Sequence, residues 1–145
     1  MSTVIRAALV DMVSDAEPVA RWKSTWMAVI DLKMPLSANV WEQCMERFRF
    51  MCDAIHSDIQ SSEGSGASAL EEIRRIEAAE IEKVEADGNA WVAHITRDKV
   101  WFEGLYEQGE GGEVSLAQYK LAVQTYVRFL ADPEHKPIEV PFPER

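Results

Sequence analysis

The chain has 145 residues, of which 25 are Asp or Glu and 15 are Lys or Arg, so its formal net charge is −10 at pH 7. A chain of this length forms one domain with its own hydrophobic core, and we expect residues 1–145 to be a single domain. The acidic balance argues against nucleic acid and anionic membranes as partners, because both require a basic surface.

Two extended segments are predicted ahead of the first helix. Residues 3–13 carry apolar positions that fit both a helix and a strand, and their β-branched content favours the strand. A turn is expected at 14–18, where small and acidic residues precede a proline. Residues 24–33 carry β-branched and aromatic residues and stop before Pro35, which predicts a second strand.

One long helix is predicted over residues 38–60, after a candidate N-cap at Leu36-Ser37. Apolar residues recur at helical spacing along this segment and would face the core on one stripe. The stripe consists of Trp41, Cys44, Met45, Phe48, Met51, Cys52, Ile55 and Ile59. Phe50 lies roughly 80° outside the stripe, so it packs either under the loop at 61–66 or in a second contact patch.

A short helix and a meander of three antiparallel strands follow this loop. The helix is predicted at 68–79, and the strands are predicted at 81–86, 90–96 and 99–106. Asp87-Gly88 is a two-residue hairpin signal between the first two strands. Residues 108–113 are rich in glycine and are expected to form a flexible loop.

Ser115 followed by Gln118 is a capping-box pattern, which predicts a helix over 115–131. The tail beyond this helix is rich in proline and is expected to be extended, with an edge strand at 138–140. Together these elements predict an α+β fold, in which an antiparallel sheet packs against two main helices at about 38–60 and 115–131.

The compartment is inferred from cysteine usage and from the lack of export signals. No basic segment leads into an apolar run at the N-terminus, and no apolar stretch approaches the roughly 20 residues that span a bilayer. Cys44 and Cys52 would sit roughly 12 Å apart on the predicted helix, beyond the reach of a disulfide. Reduced thiols are typical of the cytoplasm, where we expect the protein to act.

The sequence offers little support for catalysis or for a metal site. His56, His94 and His135 lie on a helix flank, in mid-strand and in the tail, and no nucleophile elbow, phosphate loop or zinc-protease helix is present. His94 alternates with apolar residues and is expected on the more solvated sheet face. Cys44, Cys52 and His56 resemble part of a zinc site, but such a site needs four ligands and buried cysteines usually pack as hydrophobes. We therefore expect no metal, no cofactor and no enzymatic activity.

The negative charge is concentrated in one part of the chain. Residues 63–113 hold 13 acidic and 5 basic residues, a net charge of −8, while residues 114–145 are neutral. Such a run forms either a solvated face or a charged binding surface, and interleaved aromatic residues favour the second. The glycines nearby would let the carboxylates adapt to a partner. The predicted partner-binding residues are Asp87, Trp101, Glu103, Tyr106, Glu107, Glu110 and Glu113.

The C-terminal third of the chain resembles the ending of small bacterial immunity proteins. The resemblance lies in GEVSLAQYKLAV at 112–123, FLADP at 129–133 and PIEVPFP at 137–143. Such proteins neutralise the toxins of contact-dependent growth inhibition and related polymorphic toxin systems. The resemblance implies a cytosolic protein that binds a toxin domain, often a basic nuclease, and blocks its active site or its assembly.

The leading hypothesis is therefore an immunity protein that captures a basic toxin domain through residues 80–113. Two alternatives stay open. One is a small acidic secretion chaperone, which would act as a homodimer on a largely unfolded partner. The other is a small hydrolase or transferase that uses His94 or His56. The sequence does not distinguish a monomer from a dimer.

Overall fold

The computed structural model describes residues 2–14, 17–35, 37 and 39–145. In these ranges the chain forms the strands β1 (Thr3–Val13), β2 (Arg21–Asp31), β3 (Lys83–Asp87), β4 (Trp91–Thr96), β5 (Val100–Gly104), β6 (Glu110–Val114) and β7 (Ile138–Pro141). The α-helices of the same ranges are α1 (Arg49–Asp58), α2 (Ser65–Glu77) and α3 (Leu116–Ala131). Antiparallel sheets packed by helices are the predicted α+β class.

The strands form two antiparallel sheets, with the orders β2-β1-β7 and β3-β4-β5-β6. Helix α1 contacts β2 of the first sheet and β4, β5 and β6 of the second. One hydrophobic cluster therefore runs through both sheets, from Ile5 and Val29 of the first to Ile95 and Phe102 of the second. Each of these four side chains is fully buried, which provides the main driving force for folding.

Residues 3–13 form a strand, as their β-branched content indicates. This strand pairs with β2 along its whole length. β2 begins three residues before the predicted segment at 24–33, since its first residues also pair with β1. It ends two residues earlier than predicted, because a turn starts immediately after Asp31. The predicted edge strand at 138–140 is present as β7, which pairs with the other side of β1. The turn expected at 14–18 falls partly on residues outside the described ranges.

The prediction of one helix over 38–60 is wrong in its first half. Two 3-10 turns, Val40–Gln43 and Glu46–Phe48, precede α1, and the backbone between them is extended. The cause is a tertiary contact, because the N–H of Met45 donates to the carbonyl of Val29 on the outer edge of β2 at 2.8 Å. A strand edge needs hydrogen-bond partners, and here it takes them from a segment whose own pattern is helical.

Most of the predicted apolar stripe is nevertheless buried. The buried members are Cys44, Phe48, Met51, Cys52, Ile55 and Ile59. Trp41 and Met45 remain partly exposed. The N-cap of the 3-10 turn Val40–Gln43 is Asn39, whose side chain accepts the Trp41 N–H at 3.0 Å. The predicted cap, Ser37, does not occupy this position. Leu36 lies outside the described residues.

The extended backbone at Cys44 interrupts the continuous helix on which the predicted separation of roughly 12 Å was based. Both cysteines are free and buried, and the Cys44 thiol donates to the carbonyl of Met45 at 3.5 Å. Burial raises the pKa of the Cys52 thiol, which keeps it protonated and packed as an apolar group.

The predicted meander forms three strands of the second sheet. β3, β4 and β5 lie within one or two residues of the predicted 81–86, 90–96 and 99–106. The turn at Asp87-Gly88 is present, but its loop has three residues instead of two. The N–H of Gly88 closes it by donating to the carbonyl of Trp91 at 2.9 Å.

The glycine-rich segment at 108–113, predicted as a loop, contains most of strand β6. β6 pairs with β5 through a β-bulge, and Gly112 has the positive φ of +65° there. A Cβ at Gly112 would lie 2.6 Å from the Cβ of Phe50, so the glycine lets β6 pass directly over that ring. Phe50 packs against Trp91 with 4.9 Å between ring centroids and a tilt of 49°, beneath this sheet edge and not under the loop at 61–66.

Two further helices complete the core. α2 begins three residues before the predicted 68–79, and Gly66 in its first turn packs closely against Val127 of α3. α3 starts as predicted, with a capping box in which the Ser115 hydroxyl accepts the Gln118 N–H at 3.1 Å.

Candidate partner-binding surface

The four-stranded sheet has one buried face and one open face. Side chains alternate along each strand, so that Val100 and Phe102 are fully buried while Glu103 points outward and is exposed. No helix or strand of the described residues covers the outward face, which we call the acidic sheet face. Its charged and aromatic members are Lys83, Glu85, Asp87, His94, Lys99, Trp101, Glu103, Glu110 and Glu113.

Strand pairing places most of the predicted binding residues in two rows across this face. The first row contains Asp87, Val92, Glu103 and Glu110. The second row contains Glu85, His94 and Trp101, and Glu113 lies beside it after the bulge. Five of the seven predicted residues therefore share one surface. They are Asp87, Trp101, Glu103, Glu110 and Glu113.

The other two predicted residues, Tyr106 and Glu107, lie in the loop between β5 and β6. Tyr106 is 76% exposed, the largest exposure of any bulky apolar residue described. Gln108 holds this loop in place, since its side-chain carbonyl accepts the Tyr106 N–H at 2.8 Å and its amide donates to Ala90 at 2.9 Å. The loop therefore presents Tyr106 and Glu107 from a fixed backbone at one end of the face.

Trp101 is packed more tightly than an open anchor residue would be. Its ring stacks on His94 with 4.9 Å between centroids and an interplanar angle of 6°. The ammonium groups of Lys83 and Lys99 lie 5.3 and 5.2 Å from the same ring. These cation–π contacts hold the ring in one orientation. Trp101 thus organises the centre of the face, and Tyr106 is the more accessible aromatic side chain.

His94 lies on the outward face, as predicted, but it is buried instead of solvated. Trp101 covers its ring, and its Nε2 lies 3.0 Å from the carboxylate of Glu103. Its Nδ1 is buried without a hydrogen bond among the described residues, with the nearest Glu85 oxygen 3.9 Å away. Cross-strand packing, which residue alternation does not reveal, accounts for this burial.

The ionic balance of the face is incomplete. Lys83 pairs with Glu85 at 3.1 Å and Lys99 with Glu113 at 3.5 Å. Among the described residues, neither Asp87 nor Glu110 has a Lys, Arg or His within 4.0 Å. Glu110 also stands directly opposite Glu103 on the neighbouring strand. Like charges in such a pair are destabilising, so an added positive charge would relieve the repulsion.

Glu71, Glu77 and Glu80 in and after helix α2 behave differently from the acidic residues of the face. Glu72 of the same helix, by contrast, has no ion pair among the described residues. Glu71 pairs with Arg74 at 2.7 Å, and Glu80 just beyond the helix pairs with the same guanidinium at 3.0 Å. Glu77 pairs with Lys120 of α3 at 2.9 Å. These carboxylates form the solvated, internally paired surface that is the usual fate of an acidic run. The acidic sheet face, by contrast, holds five carboxylates and two lysines, a net charge of −3 out of the −8 of residues 63–113.

Sequence patterns did not identify three residues that shape the face. The strand register is needed to place Glu85 and Lys99 on the face. The role of Gln108 follows only from its hydrogen bonds in the β5–β6 loop. Asp58 of α1 supports the same end of the sheet, because its carboxylate accepts the Ala90 and Trp91 N–H groups at 2.9 and 3.2 Å. Asp58 carried no sequence signal that distinguished it from other exposed acids.

The remaining candidates for chemistry stay apart from this face. His56 contacts Trp41 and lies 3.4 Å from Asp53, and His135 packs against Phe129. Within the described ranges, no group of three or more His, Cys, Asp or Glu side chains is arranged to hold a metal ion.

No protein-family model matches the chain, and neither a curated protein nor a solved structure is significantly similar to it. In the part of the chain that the structure describes, no helix is both long enough and apolar enough to cross a membrane. The assignment of a binding surface therefore rests on the geometry of this chain.

Proposed function

We propose that this protein binds a basic protein domain through the acidic sheet face, and that this domain is a bacterial toxin which it neutralises in the cytoplasm. The observation that carries the proposal is the ionic imbalance of the face, where five carboxylates are accompanied by two lysines. The resemblance of residues 112–143 to immunity proteins supports the nature of the partner. On this proposal the protein is an inhibitor and has no enzymatic activity.

The chemistry of recognition follows from the carboxylates of the first row on the face, none of which has a Lys or Arg within 4.0 Å among the described residues. Asp87, Glu103 and Glu110 lie in one row and can accept charge-assisted hydrogen bonds from Lys and Arg of the toxin. Tyr106 at the end of the row supplies an exposed aromatic contact. A field of one sign also steers a basic partner toward the face and accelerates encounter.

The rigidity of the surface favours tight binding. Its carboxylates stand on paired strands, and the β5–β6 loop is held to the β3–β4 turn through Gln108 and Ala90. A surface ordered before binding loses little conformational entropy on association. We expect an interface of about 1,600 Å² in total, the size typical of specific protein complexes.

The direct test is binding to the toxin domain encoded beside this protein's gene. An immunity protein is expected immediately downstream of a large secreted protein whose C-terminal domain is basic. That domain, purified in an inactive form, should bind the chain in a folded 1:1 complex in native mass spectrometry. An isolated gene, an operon of metabolic enzymes, or a 2:1 complex with an unfolded partner would contradict the proposal, and the last result would indicate a secretion chaperone.

A further inference from the structure

A cavity of about 240 Å³ lies on the opposite side of the second sheet, between β3, β4 and the three α-helices. Alanines create this space. Ala86 and Ala93 are cross-strand partners on the inner face, whereas the next pair along, Val84 and Ile95, carries larger side chains. Ala54 and Ala69 face the cavity from α1 and α2. Its volume is below the roughly 300–1,000 Å³ of drug-sized pockets, so its ligand must be small.

Three acidic residues line the cavity, Asp58, Glu72 and Asp87, and among the described residues none of them has a Lys or Arg within 4.0 Å. Asp87 also belongs to the acidic sheet face, so only Asp58 and Glu72 are assigned here to the cavity. Asp58 accepts two backbone N–H groups through its two oxygens, and each oxygen retains a free lone pair. Glu72 makes no hydrogen bond or ion pair with any described residue. Burial raises the pKa of both Asp58 and Glu72, so their negative charges are only partly compensated by the protein.

Tyr119 of α3 adds a third polar group to the same cavity. Its side chain is only 4% exposed, and its hydroxyl has no hydrogen-bond partner among the described residues. Tyr119 lines the same cavity as Asp58 and Glu72. Burial raises the pKa of Tyr119, and the negative charges of Glu72 and Asp58 raise it further. The hydroxyl therefore can accept a hydrogen bond from a molecule in the cavity.

We propose that this cavity binds a primary ammonium group carried on a short alkyl chain. An ammonium has three N–H donors, and the cavity offers three oxygen acceptors, on Asp58, Glu72 and Tyr119. The methylene groups would contact the alanine and isoleucine walls. The cavity lies on the inner face of the sheet, so this inference does not rest on the proposed function.

A free amine and a lysine side chain share this chemistry, and calorimetry with two probes distinguishes them. The probes are 1,5-diaminopentane and Nα-acetyl-lysine methylamide, with 1-pentanol as the uncharged control. We expect saturable binding of 1,5-diaminopentane and none of 1-pentanol. Binding of the lysine derivative as well would identify a protein lysine as a second source of the ligand.

Variants test whether the named groups form the site. Glu72→Gln removes the charge and keeps the shape, and we expect it to weaken diamine binding by about tenfold or more. Tyr119→Phe removes only the hydroxyl and should weaken binding severalfold. Glu63→Gln makes the same charge change at an exposed position just before α2, and it should leave the affinity unchanged.

A variant that fills the cavity, checked for correct folding by circular dichroism, distinguishes loss of the site from misfolding. Ala69→Leu fills the cavity with apolar atoms, and it should abolish binding while the circular dichroism spectrum stays that of the wild type. Absence of saturable binding of both amines to the wild-type protein would overturn the proposal. Equal losses in Glu72→Gln and Glu63→Gln would overturn it too, since the effect would then come from net charge.

Discussion

Asp58 connects helix α1 to both turns at one end of the second sheet. Its carboxylate accepts the N–H groups of Ala90 and Trp91, and the Ala90 carbonyl in turn accepts from Leu105 and Gln108 of the next loop. One carboxylate thus supports the loop that carries Tyr106 and Glu107. Gly88 leaves the space for this carboxylate, because a side chain at that position would collide with it.

Removal of this carboxylate should destabilise the protein. In Asp58→Ala two backbone N–H groups of the β3–β4 turn lose their acceptor, and we expect the free energy of unfolding to fall by about 2–3 kcal/mol. Asp53→Ala on the same helix removes a carboxylate that lies 3.4 Å from His56 and accepts no backbone N–H among the described residues, and it should cost less than about 1 kcal/mol. Urea unfolding measures both, and equal losses would contradict the role assigned to Asp58.

Glu72 should make stability depend on pH in a specific direction. Burial raises its pKa, and the nearby charge of Arg75 offsets only part of this effect. Because the folded-state pKa lies above the unfolded value, the native state holds this proton more tightly, and stability is lost as pH rises through the folded pKa. We expect Glu72→Gln to be more stable than wild type at about pH 7 and equal to it at about pH 3. A difference that stays constant across this range would contradict the assignment.

At the scale of elements, helix α3 is tied to the end of the chain through its cap. Gln118 is fully buried, and its side-chain carbonyl accepts the Ser115 N–H at 2.9 Å. Its amide donates to the carbonyl of Pro143 at 2.9 Å, just beyond β7. The capping box therefore joins a helix start to the edge of the other sheet.

This double role predicts a large effect for a single glutamine. Gln118→Ala leaves the Ser115 N–H and the Pro143 carbonyl without their partners, so the free energy of unfolding should fall by about 2–3 kcal/mol. Gln124→Ala changes an exposed glutamine of the same helix and should stay within about 0.5 kcal/mol of wild type. Thermal and urea unfolding would measure both variants, and a small loss at Gln118 would show that the tail docks by other contacts.

Elements with local signals could be predicted from the sequence, and elements that depend on distant contacts could not. The capping box at Ser115 and the alternation in β3 to β5 are local, and both are present as predicted. The segment at 38–60 fails because Met45 binds a strand edge 16 residues away in the chain. β6 was missed because glycine has low strand propensity and joins the sheet here only through a bulge.

The same distinction applies to the candidate site. Trp101 and Glu103 lie on one open face because side-chain direction in a strand has a period of two residues. The burial of His94 beneath Trp101 depends on strand register, which a single sequence does not specify. Register also decides that Glu103 stands opposite Glu110, and the repulsion between them is central to the proposed function.

For the whole molecule, the structure separates two kinds of acidic surface. Glu71 and Glu77 of α2 are paired with Arg74 and Lys120, so they do not require a partner, whereas Glu72 of the same helix is unpaired among the described residues. Those of the acidic sheet face exceed their lysines and are held on a rigid, open sheet. Of the net charge of −8 in residues 63–113, −3 lies on this face, and its excess of carboxylates is what we expect of a surface that binds a basic protein.

The central claim is tested most directly by calorimetric affinity for the neighbouring-gene toxin domain at about 0.05 M and 0.3 M NaCl. The charge-reversal variant Glu107→Lys/Glu110→Lys is compared with the matched control Glu134→Lys/Glu139→Lys, which lies outside the face. We predict that the higher salt concentration weakens the affinity of the wild-type protein by about tenfold or more. At the lower salt concentration, the affinity of the face variant should be weaker than that of wild type by at least the same factor. The control variant should bind with the affinity of wild type. Affinity that is unchanged by salt and by the face variant would contradict the claim.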